Sequence, residues 1–421
     1  MSGMLNDPGE KNKTGKWIET LRARRVFIET YGCRFNFGDS AKLVEVLKTI
    51  GSEVVDSAEE ADAIIVNTCT VVGPTERKML RRLSSFRDRD LYVTGCMPAV
   101  QSDAILAVCS PTIIPPAEIR DAYISIGTVV GDGAGIVQIA QGCSGRCTYC
   151  ITRAARGPLK SNKLSEVLSQ IDEFVRAGSP EIQLTAQDVS AWGIETGNTL
   201  PELLTSIGSH AGNSMLRVGM MNPRTILGIL DELVDSFAHA SIFKFIHIPV
   251  QSGSDRILER MGRGYTSTDF EKMVKKFRAR YPTMTIATDL IVGFPGETVE
   301  DFALSCELID RIRPNKVNVT RYSRRPSTPV YAEPDFPDFI KKERSRTLNL
   351  SAEKIYQSIN KEYLGMIVPF IVTETIKEGS VMARTPDYQG VVIKENLPLG
   401  CRGNVVLKKD RKYFFLGERV K

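Results

Sequence analysis

Three cysteines fall within eight positions in GCSGRCTYC (142–150), directly after the apolar run GIVQIA (135–140). That run opens a train of strand–helix alternations. Candidate strands follow at 181–186, 215–221, 243–250, 284–292 and 316–322. Between them lie helical periodicities at 165–178, 224–237 and 266–281. Thr266 with Asp269, and Thr298 with Asp301, stand where a side-chain oxygen and an acid cap a helix start. Six such units specify a partial (βα)6 barrel, whose site belongs at the C-terminal strand ends. The cysteine loop leaves the first strand at that end. No residue motif recurs from unit to unit, so this is not a sequence repeat.

An earlier alternation occupies residues 25–95, with strands at 25–30, 63–68 and 91–95 and helices at 42–51 and 75–86. Its order specifies a doubly wound α/β domain with a parallel sheet. The Pro- and Gly-rich stretch 109–135 breaks the pattern. A linker helix at 341–365 leads to short apolar runs divided by turn residues, which read as a small antiparallel β-barrel. The expected organisation is a flexible tail at 1–24 and domains at 25–128, 129–355 and 356–421. The whole is of the α/β class.

The chain holds nine cysteines. Its N-terminus lacks the apolar core of a signal peptide, and no run approaches the ~20 residues of a membrane span. The expectation is therefore a cytoplasmic protein without membrane contact, in which thiols serve as ligands, nucleophiles or core residues. Cys143, Cys147 and Cys150, spaced C-x3-C-x2-C, suit three irons of a [4Fe–4S] cluster with the fourth iron open. Structural zinc would want a fourth ligand, and no other Cys or His lies nearby. Cys33, Cys69 and Cys96 each sit at or just past the end of a parallel strand, the edge where α/β sheets gather their ligands. Together they point to a second cluster, again with an open iron. Cys109, Cys306 and Cys401 have no partner spacing and read as structural.

Residues 361–421 carry 11 Lys and Arg against 7 Asp and Glu. The densest run holds Lys408, Lys409, Arg411 and Lys412, and the same module carries Tyr388, Tyr413 and Phe414. Basic charge on a five-strand barrel fits a nucleic-acid module better than a solvated loop. His210 and His239 read as surface residues. His247 is either a pocket residue or core.

The segment GCSGRCTYC resembles the radical S-adenosylmethionine (SAM) superfamily. That resemblance implies that the open iron binds SAM, that Tyr149 packs near its adenine, and that Gly293 and Pro295 of GFPGE line the pocket. The two cysteine sets and the basic barrel together resemble the methylthiotransferase family. Matching segments are TYGCRFN, NTCTV, TGCMP, TAQDVSAWG with Gln187, HIPVQSGS, DLIVGFPGE and YSRRPSTPV. The last departs from the commoner RPGTPA form at Ser327 and Val330.

The resemblance implies two [4Fe–4S] clusters and SAM as cofactors, with the terminal module similar to the RNA-binding TRAM domain, an OB relative. It implies conversion of a C–H bond to C–S–CH3. A radical made from SAM at Cys143, Cys147 and Cys150 removes hydrogen, sulfur comes from the cluster on Cys33, Cys69 and Cys96, and a second SAM supplies the methyl group. An electron donor and a sulfur source must be supplied from outside. The stretches 151–161 and 67–83 resemble the branch acting on N6-threonylcarbamoyladenosine at position 37 of tRNA. Arg153 and Arg156 are its candidate substrate contacts. The alternatives are the isopentenyladenosine enzyme, the ribosomal-protein aspartate enzyme, and an RNA-binding iron–sulfur protein without catalysis.

Overall fold

The computed structural model describes residues 15–70, 73–126 and 135–420. The chain divides into two compact units, Met1–Gly131 and Asp132–Lys421.

In the first unit five parallel strands form one sheet in the order β2-β1-β3-β4-β5. They are β1 (Arg25–Thr30), β2 (Glu53–Val55), β3 (Ala63–Thr68), β4 (Leu91–Gly95) and β5 (Thr112–Ile113). β3 and β4 are buried along their whole length, as apolar runs covered on both faces must be. Helices Arg34–Thr49 and Pro116–Ile126 pack on one face through Leu43, Val46, Leu47, Ile119 and Tyr123. Met79, Leu83, Met97 and Ile105 cover the other.

The expected helix at 42–51 in fact starts at Arg34, with Cys33 as its N-cap. Its first turns, RFNFGDS, lack apolar periodicity because Asn36 and Ser40 turn inward to bond strand ends. The stretch 109–135 is not wholly irregular. Pro116 opens a helix, a position that suits its fixed φ and missing N–H. Within the expected tail, residues 16–21 are helical, and Trp17 and Leu21 are buried in the core. The rest of that tail, residues 1–14, lies outside the described residues.

The second unit opens with β6 (Gly135–Gln138), followed by a ribbon of β7 (Ala140–Gln141) and β8 (Lys160–Ser161). The barrel continues with β9 (Glu181–Thr185), β10 (Met215–Val218), β11 (Phe245–His247), β12 (Thr285–Val292) and β13 (Lys316–Arg321). Hydrogen bonding runs β6-β9-β10 and β11-β12-β13, all parallel. Single bridges, Leu216 with Ile242 and Met220 with His247, join the two halves. The strands alternate. Ile182, Leu184, Leu216, Val218, Ile246, Ile286, Leu290 and Val317 belong to the main hydrophobic core. The intervening residues face the lumen and are largely polar: Gln183, Thr185, Arg217, His247, Asp289, Lys316 and Asn318. The helix expected over 224–237 is broken, with a 3-10 turn at Leu227–Ile229 around Gly228.

Helix Asp338–Tyr363 leads into the small barrel. Its strands are β14 (Ile367–Lys377), β15 (Ser380–Arg384), β16 (Gly390–Ile393), β17 (Arg402–Asp410) and β18 (Phe415–Arg419). They close in the order β14-β15-β16-β18-β17. Four pairings are antiparallel as expected, and the closing pair β16–β18 is parallel. Among the described residues no helix is long and apolar enough to cross a membrane.

Candidate functional site

The cysteine loop is held from several sides. Gly142 has φ +80°, and a Cβ there would lie 1.9 Å from the Pro158 carbonyl oxygen, so only glycine lets the backbones approach. Its N–H donates to Gln187 Oε1 at 2.7 Å. Cys143 N–H donates to the Gly157 carbonyl at 3.2 Å, and Thr148 N–H to that of Met261 at 3.0 Å. Each sulfur of the triad meets an N–H group. Gly145 N–H lies 3.2 Å from Cys143 Sγ, Arg263 Nη1 lies 2.9 Å from Cys147 Sγ, and Thr152 N–H lies 3.4 Å from Cys150 Sγ.

Such donors favour sulfur carrying negative charge, and burial opposes it. Burial pushes the Cys143 thiol up to about 11, against the pull of the Gly145 N–H. A Cβ on Gly145 would stand 3.2 Å from Cys143 Sγ and 3.8 Å from Cys147 Sγ. Two thiols thus flank a space that glycine leaves open. Among the described residues no three of His, Cys, Asp and Glu gather tightly enough to share one metal ion. The donor set fits an iron–sulfur cluster held by three corners.

Around the loop, Tyr149 packs edge-on against Phe294 at 6.2 Å and beside Ile257, Met261, Tyr322 and Val330. Gly293 N–H donates to Glu297 Oε2 at 2.7 Å, and buried Glu297 pairs with Arg344. Pro295 is buried beside them. Arg153 Nη1 reaches the Gly145 carbonyl at 3.4 Å. Arg156 is only 5% exposed, so it does not sit on a solvated basic surface. Ser327 has φ +62°, a left-handed backbone that favours glycine.

Sequence reasoning passed over Arg263. Its buried guanidinium reaches Cys147, Tyr265 Oη at 2.8 Å and the Pro249 carbonyl at 3.3 Å. Burial works against its charge, but Tyr149, Tyr265 and Cys147 outweigh that and hold it firmly protonated. A legible signal existed, an arginine between Gly262 and Gly264 in a loop of the barrel. Asp188 was missed as well. It is buried and accepts from Ser190 Oγ, Asn222 N–H and Thr225 Oγ1, tying the ends of β9 and β10 together.

In the first unit, Cys33 follows β1, Cys69 follows β3 and Cys96 follows β4. β1 and β3 are neighbours from which the strand order runs in opposite directions, the switch point where such sheets bind ligands. Gly32 has φ +108°, and a Cβ there would meet Cys69 Cβ at 2.8 Å and its Sγ at 3.0 Å. Cys96 Sγ lies 3.9 Å from Asn36 Oδ1, and Asn36 Nδ2 donates to the Tyr31 and Thr68 carbonyls. The Cys69 and Cys96 side chains therefore lie beside Gly32 and Asn36, and Cys33 follows Gly32 as the N-cap of the helix that carries Asn36. Cys109 is a core residue, with Sγ 3.6 Å from the Ile105 carbonyl.

In the small barrel, Lys408 pairs with Glu418 at 3.3 Å and Lys412 with Glu353 at 3.2 Å. Lys409 and Arg411 are exposed and have no ion pair among the described residues. Tyr413 is 62% exposed. Tyr388 is not on that surface. It is seated against Phe243 and Phe245 at the base of the (βα) barrel. His210 and His239 are exposed, and His247 faces the lumen, where Nε2 lies 2.8 Å from Asp289 Oδ1.

Comparison with known proteins agrees with this arrangement. Residues 137–309 match the model of the Radical SAM superfamily, and residues 25–112 match that of "Uncharacterized protein family UPF0004". A probable threonylcarbamoyladenosine tRNA methylthiotransferase of Pyrococcus horikoshii is 39% identical, over 94% of this chain and 99% of its own. A probable enzyme of the same name from Archaeoglobus fulgidus is 39% identical, over 94% and 98%. The tRNA-2-methylthio-N(6)-dimethylallyladenosine synthase of Aquifex aeolicus is 31% identical, over 86% and 91%. Among solved structures, the radical SAM methyltransferase TsrM of Kitasatospora setae shares the fold with TM-score 0.51 and 17% identity, over 73% of this chain and 75% of that one. With full-length relatives at this identity and a SAM-radical domain at its centre, the chain belongs to the radical SAM tRNA methylthiotransferase family.

Proposed function

We propose that this enzyme transfers a methylthio group to C2 of N6-threonylcarbamoyladenosine at position 37 of tRNA. The observation that carries the reading is the triad Cys143, Cys147 and Cys150, each sulfur met by an N–H donor, in a chain whose 39%-identical relatives bear that activity's name. Cys143, Cys147 and Cys150 hold one [4Fe–4S] cluster, and Cys33, Cys69 and Cys96 hold a second. When bound, the first cluster would supply one-electron reduction of SAM and the second would supply sulfur, with a further SAM as the methyl donor.

The chain's own residues bind, orient and exclude water. Arg263 keeps a fixed positive charge against Cys147, and Gln187 fixes the start of the loop through Gly142. Tyr149, Gly293 and Pro295 line the SAM pocket. Arg153 lies beside the loop and meets the substrate. Residues 25–128 carry the auxiliary site, 129–355 the SAM chemistry, and 356–421 the RNA contacts through the exposed part of the basic run. An external electron donor and sulfur source, in the cytoplasm, complete the system.

Nucleoside mass spectrometry of tRNA from a deletion strain tests the proposal. The 2-methylthio derivative of threonylcarbamoyladenosine should vanish and its unmethylthiolated precursor accumulate. Loss of the isopentenyl derivative instead would transfer the enzyme to the other branch.

A further inference from the structure

The lumen of the (βα) barrel has two polar layers. The upper holds His247 and Asp289, 2.8 Å apart, with Asn318 Nδ2 donating to the same Asp289 oxygen at 2.7 Å. The lower holds Glu181 and Gln183 of β9, Arg217 of β10 and Phe245 of β11. Phe245 and His247 are two residues apart on one strand, so the layers are separated by about 7 Å. Tyr388 of the small barrel closes the lower layer from beneath. Its hydroxyl donates to Glu181 Oε1 at 2.8 Å.

Two guanidinium groups flank that ring. The Arg217 centre lies 5.3 Å from the Tyr388 centroid and 4.9 Å from that of Phe245, and the Arg384 centre lies 4.6 Å from Tyr388. Aromatic faces thus cover the guanidinium planes and leave their edges as donors. Arg217 Nη1 has a long contact, 3.4 Å, with Gln183 Oε1. Arg217 Nε and Arg384 Nε are both buried without a hydrogen-bond partner among the described residues. Lys316 lies two residues before Asn318 on β13 and so faces the same lumen. Its own burial, and then the charges of Arg217 and Arg384, push its ammonium pKa down against the pull of Asp289.

Of the two carboxylates nearby, Glu181 is taken by Tyr388 and Gln183, and Asp289 by His247 and Asn318. None of the three cations has an ion pair among the described residues. Unpaired buried guanidinium edges are costly and call for an anion.

We propose that Arg217 and Arg384, with Lys316 near them, form an anion subsite that takes the carboxylate of the substrate's N6-threonylcarbamoyl group. The inference rests on the functional reading above and deepens it. A purine held at the Asp289 and His247 layer would extend its N6 arm down by the spacing of the two layers. A neutral isopentenyl arm would leave the same guanidinium edges unmet, so the subsite would also reject the other branch's substrate.

The test uses reconstituted holoenzyme and anticodon stem–loops carrying N6-threonylcarbamoyladenosine or its methyl ester at position 37, with affinity read by fluorescence anisotropy. Wild type should prefer the acid by about 10- to 100-fold, as expected for charge-assisted hydrogen bonds. The double variant Arg217→Gln/Arg384→Gln should bind both alike. Should it fail to fold, the single variant Lys316→Gln should still narrow the preference several-fold. An acid preference kept in these variants, or absent from wild type, overturns the subsite. Binding is read without turnover, so the two readings fail separately. Wild type that prefers the acid but never methylthiolates it would sink the functional proposal and leave the subsite standing.

Discussion

Tyr388, in the turn between β15 and β16, donates its hydroxyl to Glu181 at the first position of β9, 2.8 Å away. The turn that carries it has left-handed backbone, φ +66°, at Tyr388 itself. Pro386 O accepts from Lys244 N–H, and Gln389 Nε2 donates to Thr285 Oγ1. The small barrel is thereby registered on the base of the larger one, strand by strand.

Replacing Tyr388 should therefore destabilise the second unit in two separable steps. Tyr388→Phe keeps the ring and removes one hydrogen bond to a buried carboxylate, a loss of about 1–3 kcal/mol. Tyr388→Ala also empties the space against Phe243 and Phe245 and should cost about 3–5 kcal/mol. Chemical denaturation of the full chain measures both. Equal losses in the two variants would mean that the ring itself contributes nothing.

The lumen residues explain why part of this site escaped sequence reading. Strands such as EIQLT and KVNVTR read correctly as strands because their outward residues are apolar. Their polar alternates look like ordinary solvent-facing positions. Only closure of the barrel turns Arg217, Asp289 and Lys316 toward one another. The cysteines were legible because chain spacing, or a strand end in an α/β sheet, already fixes them. Tyr388 was misread for the same reason that Arg217 was missed: an aromatic in a basic β-barrel gives no local sign that a neighbouring barrel will receive it.

The two cysteine sets should separate by role. Alanine at Cys143, Cys147 and Cys150 should halve the iron from about eight per chain and abolish reductive SAM cleavage. Alanine at Cys33, Cys69 and Cys96 should also halve the iron, yet leave formation of 5′-deoxyadenosine intact while methylthiolated product disappears. Product at the wild-type rate from the second variant would make those thiols structural.

Arg263 should tune the site beside Cys147. Arg263→Met removes a positive hydrogen-bond donor from the sulfur, and such donors raise the potential of a cluster. An EPR-monitored redox titration of the reconstituted variant should give a more negative midpoint than wild type. An unchanged midpoint would limit Arg263 to holding Tyr265 and the Pro249 carbonyl.

Lys42 gives the first unit a pH signature. Burial pushes its pKa down to about 8, against the pull of Asp39, from an ordinary value of 10.5. The folded state therefore holds fewer protons than the unfolded one between pH 8 and 10.5, and stability from this group rises with pH across that window. Below about pH 8 both states are protonated and the burial penalty is full, on the order of 3 kcal/mol. Denaturation at pH 7.5 and 9.5 should show the rise, and Lys42→Met should flatten it. A wild-type curve already flat would place the charge in solvent.

The basic run of the small barrel should act unevenly. Lys408 and Lys412 are engaged with Glu418 and Glu353, so neutralising them also frees an acid, and their net pull on an anion is small. Lys409 and Arg411 are exposed without such partners among the described residues, beside exposed Tyr413. Phosphate contacts position RNA without reading its sequence, and each one lost lowers the salt slope by roughly 0.7–0.9. Lys409→Gln/Arg411→Gln should thus weaken tRNA binding and flatten its salt dependence by close to two contacts. Lys408→Gln/Lys412→Gln should change the slope by less than one. Affinity across a salt series compares the pairs directly. Equal slopes in both double variants and wild type would remove this edge from the RNA interface and leave Arg153, beside the cysteine loop, as the basic residue to examine next.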